Sequence, residues 1–155
     1  MAFEIFLERS PLHLAPFATL SLLSLLFLAA GFDIVQRKVP NTLIIGGLAF
    51  ALILAWMSGW PGLGRMVSGS IAALIILLPV YSSGMMGAGD VKLISMVGGF
   101  LGLHHFLIAL LCIFIAGGIL SALFLWRSPL PNDSSGVPYA VAVLGGMSAY
   151  LVLLQ

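Results

Sequence analysis

The chain has little charge. Of 155 residues, six are Lys or Arg and five are Asp or Glu, 7% in all, against 61% hydrophobic residues and a mean hydropathy of +1.20. A soluble globular domain carries about a quarter charged residues, so that class is excluded. With a net charge of +1 and its basic residues scattered, the chain has no electrostatic footprint for nucleic acid. The one cysteine, Cys112, lies inside an apolar run. It excludes an intrachain disulfide and a multi-thiolate metal site, and it reads as a packing residue. His104-His105 lacks the glutamate of an H-E-x-x-H site, and adjacent helical side chains point apart. No Ser and His spacing suggests a serine protease. No metal or organic cofactor is expected. Also lacking are a polar linker between domains, a similarity between halves that would mark an inverted-repeat transporter, and the pattern of a secretory signal peptide. Glu4 and Glu8 precede the first positive charge, and no small-residue cleavage site ends a short apolar core.

What is present is a series of long apolar runs. A membrane-spanning helix needs ~20 apolar residues at 1.5 Å rise each, so this length holds about six spans with short connections. The expected fold is all-α and polytopic, one membrane-embedded domain over residues 1–155, with spans at 15–35, 43–60, 66–82, 91–103, 106–126 and 137–154. The fourth is short, and Gly98, Gly99 and Gly102 suit it to close packing. Phe3, Phe6 and Leu7 recur at helical spacing against Glu4, Glu8 and Arg9, which predicts an interfacial helix over residues 2–10, interrupted by Pro11. Breaks carry the usual punctuation at Pro40-Asn41, at Gly59-Trp60-Pro61-Gly62, across residues 84–89 and across residues 129–136. Trp56, Trp60 and Trp126 fall near span ends, as in an interfacial aromatic belt. With the N-terminus outside, the inner loops receive Arg37, Lys38, Lys92 and Arg127 against Arg9 and Arg65 outside, the arrangement favoured by the positive-inside rule.

Two acids stand apart. Asp33 closes the first apolar run, and Asp90 sits in Gly84-Met-Met-Gly-Ala-Gly-Asp-Val-Lys-Leu93, a glycine-rich break before the fourth. A carboxylate beside hydrocarbon is costly and asks for a function. The span count puts both at one depth on the cytoplasmic side. Two carboxylates sharing a dry site hold one proton between them, so one can take a proton from water while the other hydrogen-bonds a scissile carbonyl. Gly87 and Gly89 lack Cβ, which would let the backbone take φ > 0 and let an extended peptide approach Asp90.

Each residue also has a plainer role. Asp90 would serve as a helix N-cap before Val91. Asp33 would serve as a helix-end acid paired with Arg37 four residues on, worth only ~0.3–0.5 kcal/mol. Arg37 and Lys92 would be snorkelling anchors, and Asn41 would cap a helix starting near Thr42. Asp133 reads as solvated loop polarity.

The residues resemble the GxGD intramembrane aspartyl proteases, and within them the type IV prepilin peptidases. Gly87-Ala88-Gly89-Asp90-Val91-Lys92 looks like the second catalytic motif of that family. Asp33 with Arg37, Lys38, Val39, Pro40 and Asn41 is similar to the first. Val137-Pro138-Tyr139-Ala140 resembles the Pro-aromatic-small segment opening the last helix. The resemblance spans nearly the whole chain, with three motifs in order. It implies an endopeptidase whose catalytic residues are Asp33 and Asp90. Gly87, Gly89, Lys92, Arg37, Lys38, Pro40, Asn41, Pro138 and Tyr139 would support the site or contact substrate. It further implies a bacterial inner-membrane location, prepilins and pilin-like proteins as substrates cut after a basic leader, and the pilus assembly machinery as a partner. Bifunctional members carry an N-terminal region with paired cysteines and methylate the new N-terminus. This chain has neither the region nor the thiols, so it resembles the short peptidases of tight-adherence (Flp-type) pili, and no methyltransferase activity is expected. Presenilin-type proteases share GxGD without the Pro-Asn and lysine context. The alternative class is a small proton-coupled carrier or channel subunit using the carboxylates as a relay. Carrier sites usually lie near the midplane, whereas both acids here lie at segment ends.

Overall fold

The structure, a computed structural model, describes residues 15–127 and 139–154. The expected interfacial helix at 2–10 lies outside them, as do Glu4, Glu8, Asp133 and Pro138. The described residues form five helices: α1 Ala15–Gln36, α2 Asn41–Met57, α3 Gly59–Ser82, α4 Ala88–Arg127 and α5 Tyr139–Leu153. Three of them, α1, α3 and α4, are long and apolar enough to cross a membrane, and α2 and α5 are shorter apolar helices. Among the described residues this is an all-helical membrane protein, but the count differs from the expected six. The runs read as the fourth and fifth spans are joined in α4, whose helical geometry breaks at Gly102 (φ 73°, ψ 169°). That backbone conformation is open to glycine and strained for other residues. A hydropathy minimum at His104-His105 marked the boundary a turn too late, because hydropathy sees side chains and the break is made by a missing one.

Two further boundaries moved for physical reasons. Gly59-Trp60-Pro61-Gly62, read as a break, is the first turn of α3. Proline is tolerated there because its missing N–H would have no helical partner. Only Ser58 separates α2 from α3, and Gly59 takes φ 71° to turn the chain. Between α1 and α2, Arg37 adopts φ 53° and its N–H donates to the Asp33 carbonyl at 2.9 Å, a left-handed helix ending on a residue other than glycine.

The first limb of α4 is the centre of the molecule, with residues 93–99 all buried. In lipid no hydrophobic driving force separates helix from helix, so close packing must hold them. Glycines supply it. A Cβ on Gly69 of α3 would collide with the carbonyl oxygen of Gly98 and lie 2.8 Å from the Gly102 Cα, and a Cβ on Gly146 of α5 would strike the backbone of Ile113. Ser70 of α3 donates to the Ser95 carbonyl at 3.2 Å. The order of these contacts, Arg65 against Gly102, Gly69 against Gly98 and Ser70 against Ser95, makes α3 antiparallel to the first limb of α4. Tyr139 against Gly117, Gly146 against Ile113 and Tyr150 against His105 make α5 antiparallel to the second. The break brings the limbs together, since a Cβ on Gly98 would lie 3.3 Å from the Phe106 ring.

Large apolar side chains face outward along every helix, Phe27, Ile45, Ile75, Leu111 and Val152 among them. In water such a surface would aggregate; in hydrocarbon it is the expected exterior. Trp60 and Trp126 are each 85% exposed, which suits lipid-facing belt residues. Buried polarity is paired. His105 Nδ1 and the Tyr150 hydroxyl lie 2.7 Å apart, linking α4 to α5.

Gly69→Val is expected to destabilise the bundle by ~1–3 kcal/mol through overpacking against Gly98, whereas Gly64→Ala, in open space, is expected to be neutral. Thermal unfolding of the detergent-solubilised chain compares them. By the same assay, Tyr150→Phe is expected to cost ~1–3 kcal/mol by leaving His105 without this partner.

Candidate active site

Asp33 lies on the stripe Leu22, Leu26, Ala29, Asp33, the face of α1 turned to the core, and is only 7% exposed. Positions spaced by three and four residues share a helix face, so an acid on this stripe is carried inward with the leucines. Its carboxylate is satisfied across 107 residues of sequence, where the Ala140 N–H in the first turn of α5 donates to Asp33 Oδ2 at 2.8 Å. The expected i, i+4 pair with Arg37 does not form. Arg37 is exposed and its left-handed backbone turns the chain away.

Asp90 is in the first turn of α4 and half-buried. The Gly87 carbonyl accepts from the N–H groups of Asp90 at 3.1 Å and Val91 at 3.3 Å, which closes the helix start. An acid in a first turn also suits the helix dipole, so the plainer role coexists with any other. Asp33 and Asp90 come together at one end of the bundle, close enough for their charges to interact. Tyr139 joins them, near enough for its phenol to feel the Asp90 charge.

The glycines do different work from that expected. Positive φ occurs among described glycines at Gly59, Gly84 and Gly102, and not at Gly87 or Gly89. Gly84 (φ 76°) turns the chain out of α3. A Cβ on Gly87 would stand 3.3 Å from Asp90 Oδ2, while one on Gly89 would meet nothing within 4 Å. Gly87 therefore leaves room for the Asp90 carboxylate itself, and Gly89 leaves open space beside it.

Asn41, expected as a cap, is the first residue of α2; the capping position is Pro40, and no side chain caps that end. The Asn41 amide oxygen accepts from Lys92 Nζ at 3.3 Å, an exposed bond tying the start of α2 to the start of α4. Lys38 is exposed and Pro40 half-buried at the same end. Of the residues singled out in the sequence, Asp33, Asp90, Gly87, Gly89, Lys92, Asn41 and Tyr139 thus gather at this end, with Arg37, Lys38 and Pro40 on the adjoining turn.

Two residues here escaped the sequence. Ala140 acts through its main chain, which no residue type reveals. Gly117 gives the Tyr139 ring its seat, since a Cβ there would lie 3.1 Å from Cε2 of that ring. Its only sequence signal was the pair Gly117-Gly118 in an apolar run. A cavity of about 560 Å³ lies away from the aspartates, at the Gly102 end, lined by Phe17, Ala51, Leu54, Arg65 and Phe100 among others. Among the described residues no group of three His, Cys, Asp or Glu side chains is placed to hold a metal.

The sequence profile of the type IV leader peptidase family matches residues 20–122, a stretch with both aspartates in it. The chain belongs to this family. No curated protein and no solved structure matches it. A leader peptidase is a membrane protease, and prepilins in general are the substrates of the family. The match ends within α4, so α5 and its contact with Asp33 lie beyond it.

Gly117→Val is expected to cost ~1–3 kcal/mol by displacing the Tyr139 ring. Lys92→Ala, which removes an exposed hydrogen bond, is expected to cost no more than about 1 kcal/mol. Unfolding midpoints of the two variants in detergent check both, and a larger loss at Lys92 would make that bond a structural clasp.

Proposed function

We propose that this chain is an aspartyl endopeptidase that removes the basic leader from Flp-type prepilins at the cytoplasmic face of a bacterial inner membrane, with Asp33 and Asp90 as its catalytic pair. The observation that carries the reading is the meeting of these two carboxylates, 57 positions apart in the sequence, at one end of an apolar bundle in a chain of the leader peptidase family. Two like charges in a partly dry site favour a shared proton. One carboxylate then takes a proton from the attacking water while the other hydrogen-bonds the scissile carbonyl, and the proton passes on to the leaving amine. The open space beside Gly89 suits a substrate backbone drawn out of its helix and laid against Asp90.

The remaining assignments follow from this one. The limbs of α4 either side of Gly102 each traverse the bilayer, which with the other helices gives six crossings in a single domain, the N-terminus outside. Arg37, Lys38 and Lys92 share the aspartate end, and the positive-inside rule makes that end cytoplasmic. Lys92 and Asn41 flank the mouth of the site. Pro40 shapes the turn below it, and Pro138 and Tyr139 open the helix that closes it. No methyl transfer is ascribed to the chain.

Cleavage of a co-expressed Flp-type prepilin, read as a mobility shift with the new N-terminus sequenced, tests the proposal. The unaltered chain is expected to cut. Asp33→Asn and Asp90→Asn are each expected to lower the rate by ~10³-fold or more while remaining inserted in the membrane. Full cutting by either variant would make that aspartate structural and overturn the dyad.

A further inference from the structure

We infer that the first turn of α5 positions the catalytic pair, with the main-chain N–H of Ala140 as the group that fixes the Asp33 carboxylate, a role that rests on the reading of Asp33 and Asp90 as that pair. The first four N–H groups of a helix have no partner within it. Ala140 is the second residue of α5, so its N–H is one of these and goes to Asp33 Oδ2 at no cost to the helix. Ala140 is fully buried and Asp33 nearly so, which shields the bond from water and makes a charge-assisted bond stronger than its exposed equivalent.

The same turn also meets the other aspartate. Tyr139 precedes Ala140, its ring is seated on Gly117, and its phenol lies within electrostatic reach of Asp90. A single helical turn therefore touches one carboxylate through its backbone and faces the other through its side chain. Asp33 and Asp90 ride on different helices, α1 and α4, between which the described contacts are sparse, whereas α5 packs along both. Their spacing is accordingly set through α5. With Oδ2 engaged by Ala140, Oδ1 is left to handle water or substrate. The side chain at position 140 contributes packing, and the orienting group is the peptide N–H, so Ala140 is a positioning residue that does not itself touch substrate.

Replacing Ala140 by lactic acid, through nonsense suppression in the full chain, exchanges this N–H for an ester oxygen and leaves the methyl group in place. Cleavage of the Flp-type prepilin is then followed as a function of prepilin concentration. The ester at position 140 is expected to lower kcat by about 10- to 100-fold with KM within about twofold. Ala140→Pro, which also removes the N–H and is tolerated in a first turn, is expected to behave alike. The hydroxy-acid analogue of valine at Val141 removes the next N–H of the same turn and is expected to leave both constants unchanged. An undiminished kcat for the ester at position 140 would overturn the inference. So would an equal loss at positions 140 and 141, or a loss in KM and unfolding midpoint together, since either would mark a packing effect. A wild-type chain that cuts no prepilin would instead overturn the protease reading, and with it this role for Ala140.

Discussion

A carboxylate folded into an apolar bundle must be given a hydrogen-bond donor, and the bond from the Ala140 N–H to Asp33 is the interaction on which the aspartate end of the molecule depends. Asp33 is carried inward by the leucine stripe of α1 and has no cation beside it. The donor comes instead from a helix start, where the backbone has N–H groups to spare. That requirement places α5 against α1 and the second limb of α4, and it places Tyr139 beside Asp90. The position of the last helix and the geometry of the site are thus one constraint.

The rest of the architecture lets that constraint be met with little polar material. Helices in lipid gain nothing from hiding apolar surface, so they are held by contact, and glycine allows the closest contact. Gly69 against Gly98, Gly146 against Ile113 and Gly117 under Tyr139 are three such approaches, each binding a neighbour to α4. The break at Gly102 lets one long element present two limbs, so α4 serves as the hub for α3 on one side and α5 on the other. Tight packing at the Gly102 end and along the core leaves the looser, polar features to the opposite end: the left-handed turn at Arg37, the turn at Gly84, the Lys92 to Asn41 bond, and the open space beside Gly89.

Much of this was legible in the sequence, for identifiable reasons. Apolar runs separated by Pro and Gly mark helices in lipid because an unpaired backbone group in hydrocarbon costs several kcal/mol. Asp33 and Asp90 stood out because acids are so few. The errors were equally physical. Gly102 was hidden inside an apolar run, and a backbone break leaves no trace in hydropathy. Pro61 looked like an interruption although a first turn accepts proline. Asn41 looked like a cap because its residue type favours capping, but a cross-helix partner, Lys92, claimed its amide. Gly87 and Gly89 were given a backbone reason, positive φ, when their use lies in the space a missing Cβ leaves.

The sequence by itself determined that this chain is a helical membrane protein of the leader peptidase family with two isolated acids at helix ends, because composition, run length and local motifs are properties of neighbours along the chain. Only the tertiary structure decided what those acids meet. Which N–H reaches Asp33, which glycine seats Tyr139, and which partner holds Asn41 depend on residues 107, 22 and 51 positions apart along the chain. Helix packing in lipid is set by contact at those distances, and no local pattern records it.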